Sequence, residues 1–441
     1  MNSLAETSEV REPEVIVREA VERPVSTRRR IITGAVLVAV GLLCAVGLGL
    51  GSRAGLHVTF KLSAVEQYVA VPDLVLPARI TGLVLGFVVV ALGAYQAVRG
   101  FSHRRLRWVV TAAIVCFVLA FMCWSMTGQR GTHQIDLLGL LSNTIFLAIP
   151  LILGALAGVV CERSGVINIA IEGQMIAGAW AGALFASVTH SLYVGVLAAL
   201  VAGALMGWLL AVFAIRYLVN QVVLGVVLNV FALGLTGFIY DAVMQPNTLT
   251  LNSPDVFQPV ALPVLSKIPI IGPLLFDQTV IVYATYVLIV VVDVALFRTR
   301  WGLRTRAVGE HPKAADTVGI NVLRVRYRNV MLGGAIAGLA GAALTIGAIG
   351  AFTKDISSGK GFIALAAVIF GRWSPRGATA AALLFAFAEA LQTVLSFINP
   401  PFAIPSYFLA MLPYLATIFA VAGLVGRVRA PAADGEPYVK G

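Results

Sequence analysis

Apolar stretches of about 20 residues, each long enough to cross a hydrocarbon core of about 30 Å, recur from Ile31 to the C-terminal region. They cover residues 31–51, 74–98, 108–126, 137–160, 165–189, 191–215, 221–244, 279–297, 329–350, 361–371, 377–398 and 405–425. A chain that is 59% hydrophobic, 12% charged and has a mean hydropathy of +0.91 is not a soluble domain. The expected fold class is all-α, a polytopic integral membrane protein with 11–12 transmembrane or partly spanning helices. Gly361–Gly371, at 11 residues, is too short for an ordinary span and reads as a half-helix or re-entrant segment buried among other helices.

Charge orients the spans. The stretch Arg298–Arg328 carries eight Lys/Arg against the two carboxylates Glu310 and Asp316, and belongs on the cytoplasmic face. With the spans alternating from an inside N-terminus, 21 Lys/Arg fall on the inner side and six on the outer, Lys360 among the six. Both termini are then cytoplasmic. Residues 1–30 read as a disordered cytoplasmic tail, 31–130 as an N-terminal extension of about three transmembrane helices, 137–425 as the core domain and 426–441 as a second cytoplasmic tail. The run after Arg28–Arg30 is too long for a signal-peptide core and lacks an A-x-A site, so an uncleaved first span is expected. The net charge of +11 is spread over short loops and does not indicate nucleic acid. Four cysteines in or beside apolar runs read as packed thiols, and five scattered histidines indicate no metal site.

Residues 245–278, with six prolines, should form a structured outer cap. Glycines four apart (82/86, 154/158, 178/182, 203/207, 334/338) permit close helix approach in lipid. Inside the basic stretch, Pro312 can open a short helix over Lys313–Val318 that Gly319 ends, a form suited to docking. Asn168, Glu172 and Gln174 continue a polar cluster into an apolar run, Asn168 and Glu172 sharing a face if helical. Asn229 and Glu389 lie near the middle of their spans. Such groups either line a solute pathway or bond helices together. Asp293 is placed to pair with Arg298 or Arg300. Gly359-Lys360-Gly361 lacks the Ser/Thr and the upstream glycine of a phosphate-binding loop.

The stretches ERSGVINIAIEGQM (162–175), RTRWGLRTRAVGEHPKAADTVGINV (298–322) and GKGFIALAAVIFGRWSP (359–375) resemble the membrane permease subunits of bacterial ABC importers, in the branch that carries simple sugars and nucleosides with a lipoprotein-type binding protein. That resemblance implies a bacterial plasma-membrane permease that is not itself an enzyme. Its partners would be a separate ABC ATPase that binds ATP and Mg, a second permease chain, an extracellular substrate-binding lipoprotein and membrane lipids; no cofactor is expected in this chain. It implies ATPase coupling through Glu310, Pro312, Lys313, Ala314, Ala315, Asp316 and Gly319; within this set the stretch 313–319 matches the two alanines and the glycine of an E-A-A-x-x-x-G pattern, with Lys313 in the Glu position. It also makes Asn168, Glu172, Gln174, Asn229 and Glu389 the pathway candidates. The alternatives are an ion-coupled secondary transporter working through Glu172, Asp293 or Glu389, and an ABC permease for branched-chain amino acids.

Overall fold

The structure is a computed structural model that describes residues 27–63, 71–128, 133–398, 400–401, 408, 411 and 429–440. Nearly all of the span expected at 405–425 and most of the tail expected at 1–30 lie outside the described residues. The chain divides into two compact units, one of residues 1–53 and 79–122, the other of residues 54–78 and 123–441.

The smaller unit holds α1 (Thr27–Leu42, continued in wider turns to Leu50), α2 (Ala78–Val98) and most of α3 (His103–Met126). Glycines set the approach of α1 to α2. A Cβ on Gly82 would lie 2.7 Å from Gly49 Cα, and one on Gly93 would lie 2.7 Å from the Val38 nitrogen. Van der Waals packing of this kind is what holds helices together where lipid removes the hydrophobic driving force.

The larger unit begins with a three-stranded sheet that the apolar-run pattern did not anticipate, ordered β2 (Leu74–Pro77), β1 (His57–Lys61), β3 (Gln134–Asp136). Asp136 caps α4 (Leu137–Glu162) through the Gly139 N–H at 2.8 Å. Then follow α5 (Ile171–Thr189), α6 (Leu192–Ala211), α7 (Gln221–Ile239), α8 (Thr248–Leu251), β4 (Val260–Ala261), α9 (Ile271–Phe276), β5 (Asp277–Gln278), α10 (Val280–Arg298), α11 (Arg300–Glu310), α12 (Pro312–Thr317), α13 (Val322–Leu344), α14 (Lys360–Phe370) and α15 (Pro375–Ser396). Nine helices among the described residues are long and apolar enough to cross a membrane. The centre of the unit is α4, α5 and α13. Gly178 of α5 and Gly203 of α6 both abut backbone of α13 at Gly338, so the expected close approach occurs at these glycines. The outer faces of α6 and α7 are rows of exposed Val, Leu and Phe, as lipid contact requires.

Helix α14, with 11 residues, rises about 16 Å, half of a hydrocarbon core. It runs beside α4, placing Ala364 on Gly154 and Val368 on Gly158, and its C-terminal turn meets Arg163 at the end of the unit that bears α11 and α12. The chain before it leaves α13 at the opposite end, where the Phe257 N–H bonds the Ile346 carbonyl (3.0 Å). The helical turns after α13 run to Ile349, and residues 350–371 therefore cross the unit from that end to the other, irregular as far as Gly359 and helical over Lys360–Phe370, without turning back. The segment 245–278 is ordered at that opposite end. Asn252 and Phe352 exchange hydrogen bonds of 2.9 and 2.7 Å, and the Ser253 N–H donates to Ser187 (3.1 Å).

Gly338→Val should drive a side chain into the α6 backbone and cost the 1–3 kcal/mol or more typical of overpacking. Its melting temperature in detergent should fall by several degrees relative to Gly234→Val, whose new Cβ meets nothing within 4 Å. Equal melting temperatures would show that the α5/α6/α13 contact is looser than described.

Candidate functional site

The α5 helix starts only at Ile171, so Asn168 lies in the loop 163–170 and does not share a helix face with Glu172 as the four-residue spacing suggested. The loop does not continue the helical ladder because its backbone groups bond side chains of α7 instead. The Ile167 N–H donates to Gln221 Oε1 (2.8 Å), and the Ile169 carbonyl accepts from Asn229 Nδ2 (2.9 Å). Asn229 also accepts the Gly173 N–H at 2.8 Å, so one amide from α7 holds both the loop and the first turn of α5. Asn168 and Gln174 pair amide to amide at 3.0 and 3.3 Å, both fully buried. A buried polar network satisfied in this way is rigid.

Glu172 points the other way, into the break before α14. Its carboxylate accepts from Ser357 Oγ (2.6 Å), the Gly359 N–H (2.8 Å) and the Gly361 N–H (2.5 Å). The first N–H groups of a helix have no partner within it, and that end carries partial positive charge. A neighbouring carboxylate answers both needs. Gly361 is required because a Cβ there would lie 2.6 Å from Glu172 Cα, and Gly359 takes φ +81°, a left-handed turn that glycine adopts without strain. Next to this cap, Lys360 Nζ meets Glu389 Oε1 of α15 at 2.7 Å, and both side chains keep partial exposure. Asn168, Glu172, Gln174 and Asn229 thus gather around the start of α5, and Glu389 joins them through α14. Lys360, assigned by sequence to the outer loops, is instead paired between helices. Ser357 and Lys360 were missed as site residues; the signal was a lysine and two glycines at the head of an unusually short apolar run.

The second candidate site is at the other end of α14. Arg163 Nε donates to the Trp373 carbonyl (2.7 Å), and Trp373 Nε1 donates to Glu162. Gly309 abuts the Arg163 carbonyl. The three stretches 162–175, 298–322 and 359–375 therefore meet in space, joined at Glu172 and again at Glu162 and Arg163. Asp293 pairs with Arg376 (2.7 Å) and not with Arg298 or Arg300, because the turn into α15 brings Arg376 to it.

The basic stretch is more helical than expected. Thr299 caps α11 through the Gly302 N–H (3.2 Å), Pro312 opens α12, and Gly319 follows it with φ +84°. On α12, Lys313, Ala314 and Thr317 face outward with the following Val318, while Ala315 is turned in against Val308, Val322 and Tyr438. Glu310 accepts the Ala432 N–H (3.2 Å), and Asp316 is half-buried. Asp434, close by, has its carboxyl held well above the usual range by burial, with the Arg326 guanidinium pulling the other way.

Replacing Glu172 by Leu should strand the Gly359 and Gly361 N–H groups and the Ser357 hydroxyl, at about 1–3 kcal/mol for each unmet group. Its thermal stability in detergent should fall well below wild type, with Glu172→Gln between the two. A wild-type melting temperature for Glu172→Leu would contradict the cap.

The family model for the branched-chain amino acid transport system / permease component matches residues 140–422. The guanosine ABC transporter permease protein NupQ of Bacillus subtilis is 43% identical over 313 residues, 68% of this chain and 95% of that protein. The nucleoside ABC transporter permease protein NupC of Lactococcus lactis is 37% identical over 308 residues, 68% of this chain and 96% of that one. The putative glucose ABC transporter permease protein TsgC13 of Haloferax volcanii is 34% identical over 254 residues, 58% and 77% of the two chains. No solved structure matches the chain. These relatives do not favour an ion-coupled transporter. With the family model covering most of it and such relatives aligned along nearly their whole length, the chain belongs to the family of ABC transporter permease components and is a multi-pass membrane protein.

Proposed function

We propose that this chain is one permease subunit of an importer that carries nucleosides, with the α11–α12 end facing the cytoplasm. The observation that carries the solute class is the 43% identity to a guanosine permease across 95% of that protein's length. The lower identity and coverage of the glucose relative make a simple sugar the second reading. The bias of Lys/Arg, 21 inner against five outer once Lys360 is set aside, supports the orientation.

Under this reading an external binding lipoprotein delivers the solute to the end formed by residues 245–278. A separate ATPase, which binds ATP and Mg, docks on α12, and a second, unlike permease chain completes the pathway. On this reading ATP and Mg belong to that ATPase and not to this chain. The exposed edge Lys313, Ala314, Thr317 and Val318 presents a small cationic and apolar surface suited to a groove, while Pro312 and Gly319 fix its length. Glu310 and Asp316 flank it, and the inward Ala315 sets its height. Solute movement would follow α4, α5, α14 and α15, where Glu389 and Lys360 keep partial exposure beside the buried Asn168, Glu172, Gln174 and Asn229.

A deletion strain should lose ATP-dependent uptake of radiolabelled guanosine, and excess unlabelled nucleosides, not glucose, should compete in the wild type. Competition by glucose alone would move the reading to sugars, and normal guanosine uptake in the deletion strain would end it. Val318→Glu should cost ATPase retention in a pull-down without lowering the melting temperature of the permease, since Val318 is 74% exposed. Unchanged retention would remove α12 from the docking surface. A cysteine at Lys313 should react with an impermeant maleimide only in inverted vesicles, and labelling in intact cells would reverse the orientation.

A further inference from the structure

The segment 429–440 is built into the α11–α12 end of the larger unit. Its Ala433 N–H donates to the Gly309 carbonyl (2.9 Å) and its Ala432 N–H to Glu310 Oε2 (3.2 Å), both at the joint between α11 and α12. Arg326 of α13, 1% exposed, donates from Nη1 to the Glu436 carbonyl (2.8 Å). Tyr438, 6% exposed, completes an apolar cluster with Val308, Ala315 and Val322. The same segment also meets the loop that leads to Asn168 and Glu172. The Ala433 carbonyl would lie 2.9 Å from a Cβ on Gly165, and Ile167 Cδ1 would lie 2.6 Å from one on Gly435.

This matters for α12 because a six-residue helix cannot hold itself in place. No side chain caps its start, and its one buried residue is Ala315. A methyl group offers little grip unless something large fills the space behind it, and Tyr438 is the large side chain in that cluster. Both faces of the segment are therefore engaged, one by the underside of α12 and its hinge, the other by the loop 163–170.

We propose that residues 429–440 are a positioning wedge for the coupling helix, seating α12 from behind through Tyr438 and passing its displacement to the loop 163–170. The inference rests on the functional reading above, in which α12 meets the ATPase. Tyr438 is a positioning residue and touches neither solute nor nucleotide. Motion imposed on α12 reaches Gly309 and Tyr438, then Ala433 and Gly435, then Gly165 and Ile167, and through the short loop the Asn229 and Glu172 bonds that hold the broken crossing.

The test uses the full transporter in proteoliposomes with its ATPase and binding protein, measuring guanosine uptake and ATP hydrolysis in the same preparation. Tyr438→Ala, and a chain stopped after residue 428, should retain hydrolysis and lose uptake, so that the two activities part company. Tyr438→Phe keeps the apolar fill and should behave as wild type. Loss of ATPase retention in Tyr438→Ala, regained in Tyr438→Phe, would support the wedge equally. Uptake per ATP equal to wild type in both Tyr438→Ala and the shortened chain would overturn it while leaving the functional reading intact. A wild-type transporter with no ATP-dependent uptake of any nucleoside would remove both. A nitroxide placed at Val318→Cys gives a readout on the permease alone: the spectrum should become mobile with Tyr438→Ala and stay unchanged with Tyr438→Phe. An identical spectrum in all three overturns the proposal even if a variant assembles poorly.

Discussion

A carboxylate holding the head of a half-helix is the contact on which the larger unit depends. Away from water, a chain that stops being helical part-way through a crossing exposes N–H groups whose desolvation costs several kcal/mol each. Here the interruption is at Ser357–Gly361, and Glu172 accepts from two of the N–H groups it frees, Gly359 and Gly361, and from the Ser357 hydroxyl. Burying the carboxylate would be costly without those donors. The donors would be orphaned without the carboxylate. Each makes the other tolerable, which ties α5 to α14 in one register and leaves Gly361 no room for a larger residue.

The rest of the unit follows from that register. With its head fixed, α14 lies along α4 with Ala364 and Val368 on two glycines, and its far turn comes to Glu162 and Arg163. The left-handed backbone at Arg372 and Trp373 then turns the chain into α15, whose Glu389 returns to Lys360. The same Arg163 backbone supports Gly309 at the end of α11, just before α12. The break before α14 and the end bearing α11 and α12 are thus linked by one stretch of 14 residues, 162–175, which grips opposite ends of the same half-helix through Glu172 and through Glu162 and Arg163.

Much of this could be read from the sequence where the cause is local. Pro312 and Gly319 mark a short helix because each has a conformational preference of its own, and the 11-residue run Gly361–Gly371 marks by its length alone a segment too short for an ordinary span. The apolar runs foretold the all-α membrane fold for the same reason. What escaped is set by partners distant in the chain. Nothing near Asp293 indicates Arg376, and nothing near Ala315 says which way a six-residue helix is rotated or that Tyr438 lies beneath it. The assumption that Asn168 and Glu172 share a helix face failed because α7 side chains satisfy the loop's backbone and let it stay irregular. The sheet β2-β1-β3 was hidden because short strands leave little trace among long apolar runs.

The cap can be tested by a double-mutant cycle on the purified permease, measuring unfolding free energies of Glu172→Gln, Ser357→Ala and the pair. Two side chains in direct contact should couple by about 0.5–3 kcal/mol, so that Ser357→Ala, destabilising on its own, adds little once Glu172 is replaced. Effects that add to within about 0.3–0.5 kcal/mol would mean that the two residues do not meet, and the account of the broken crossing would fail with them.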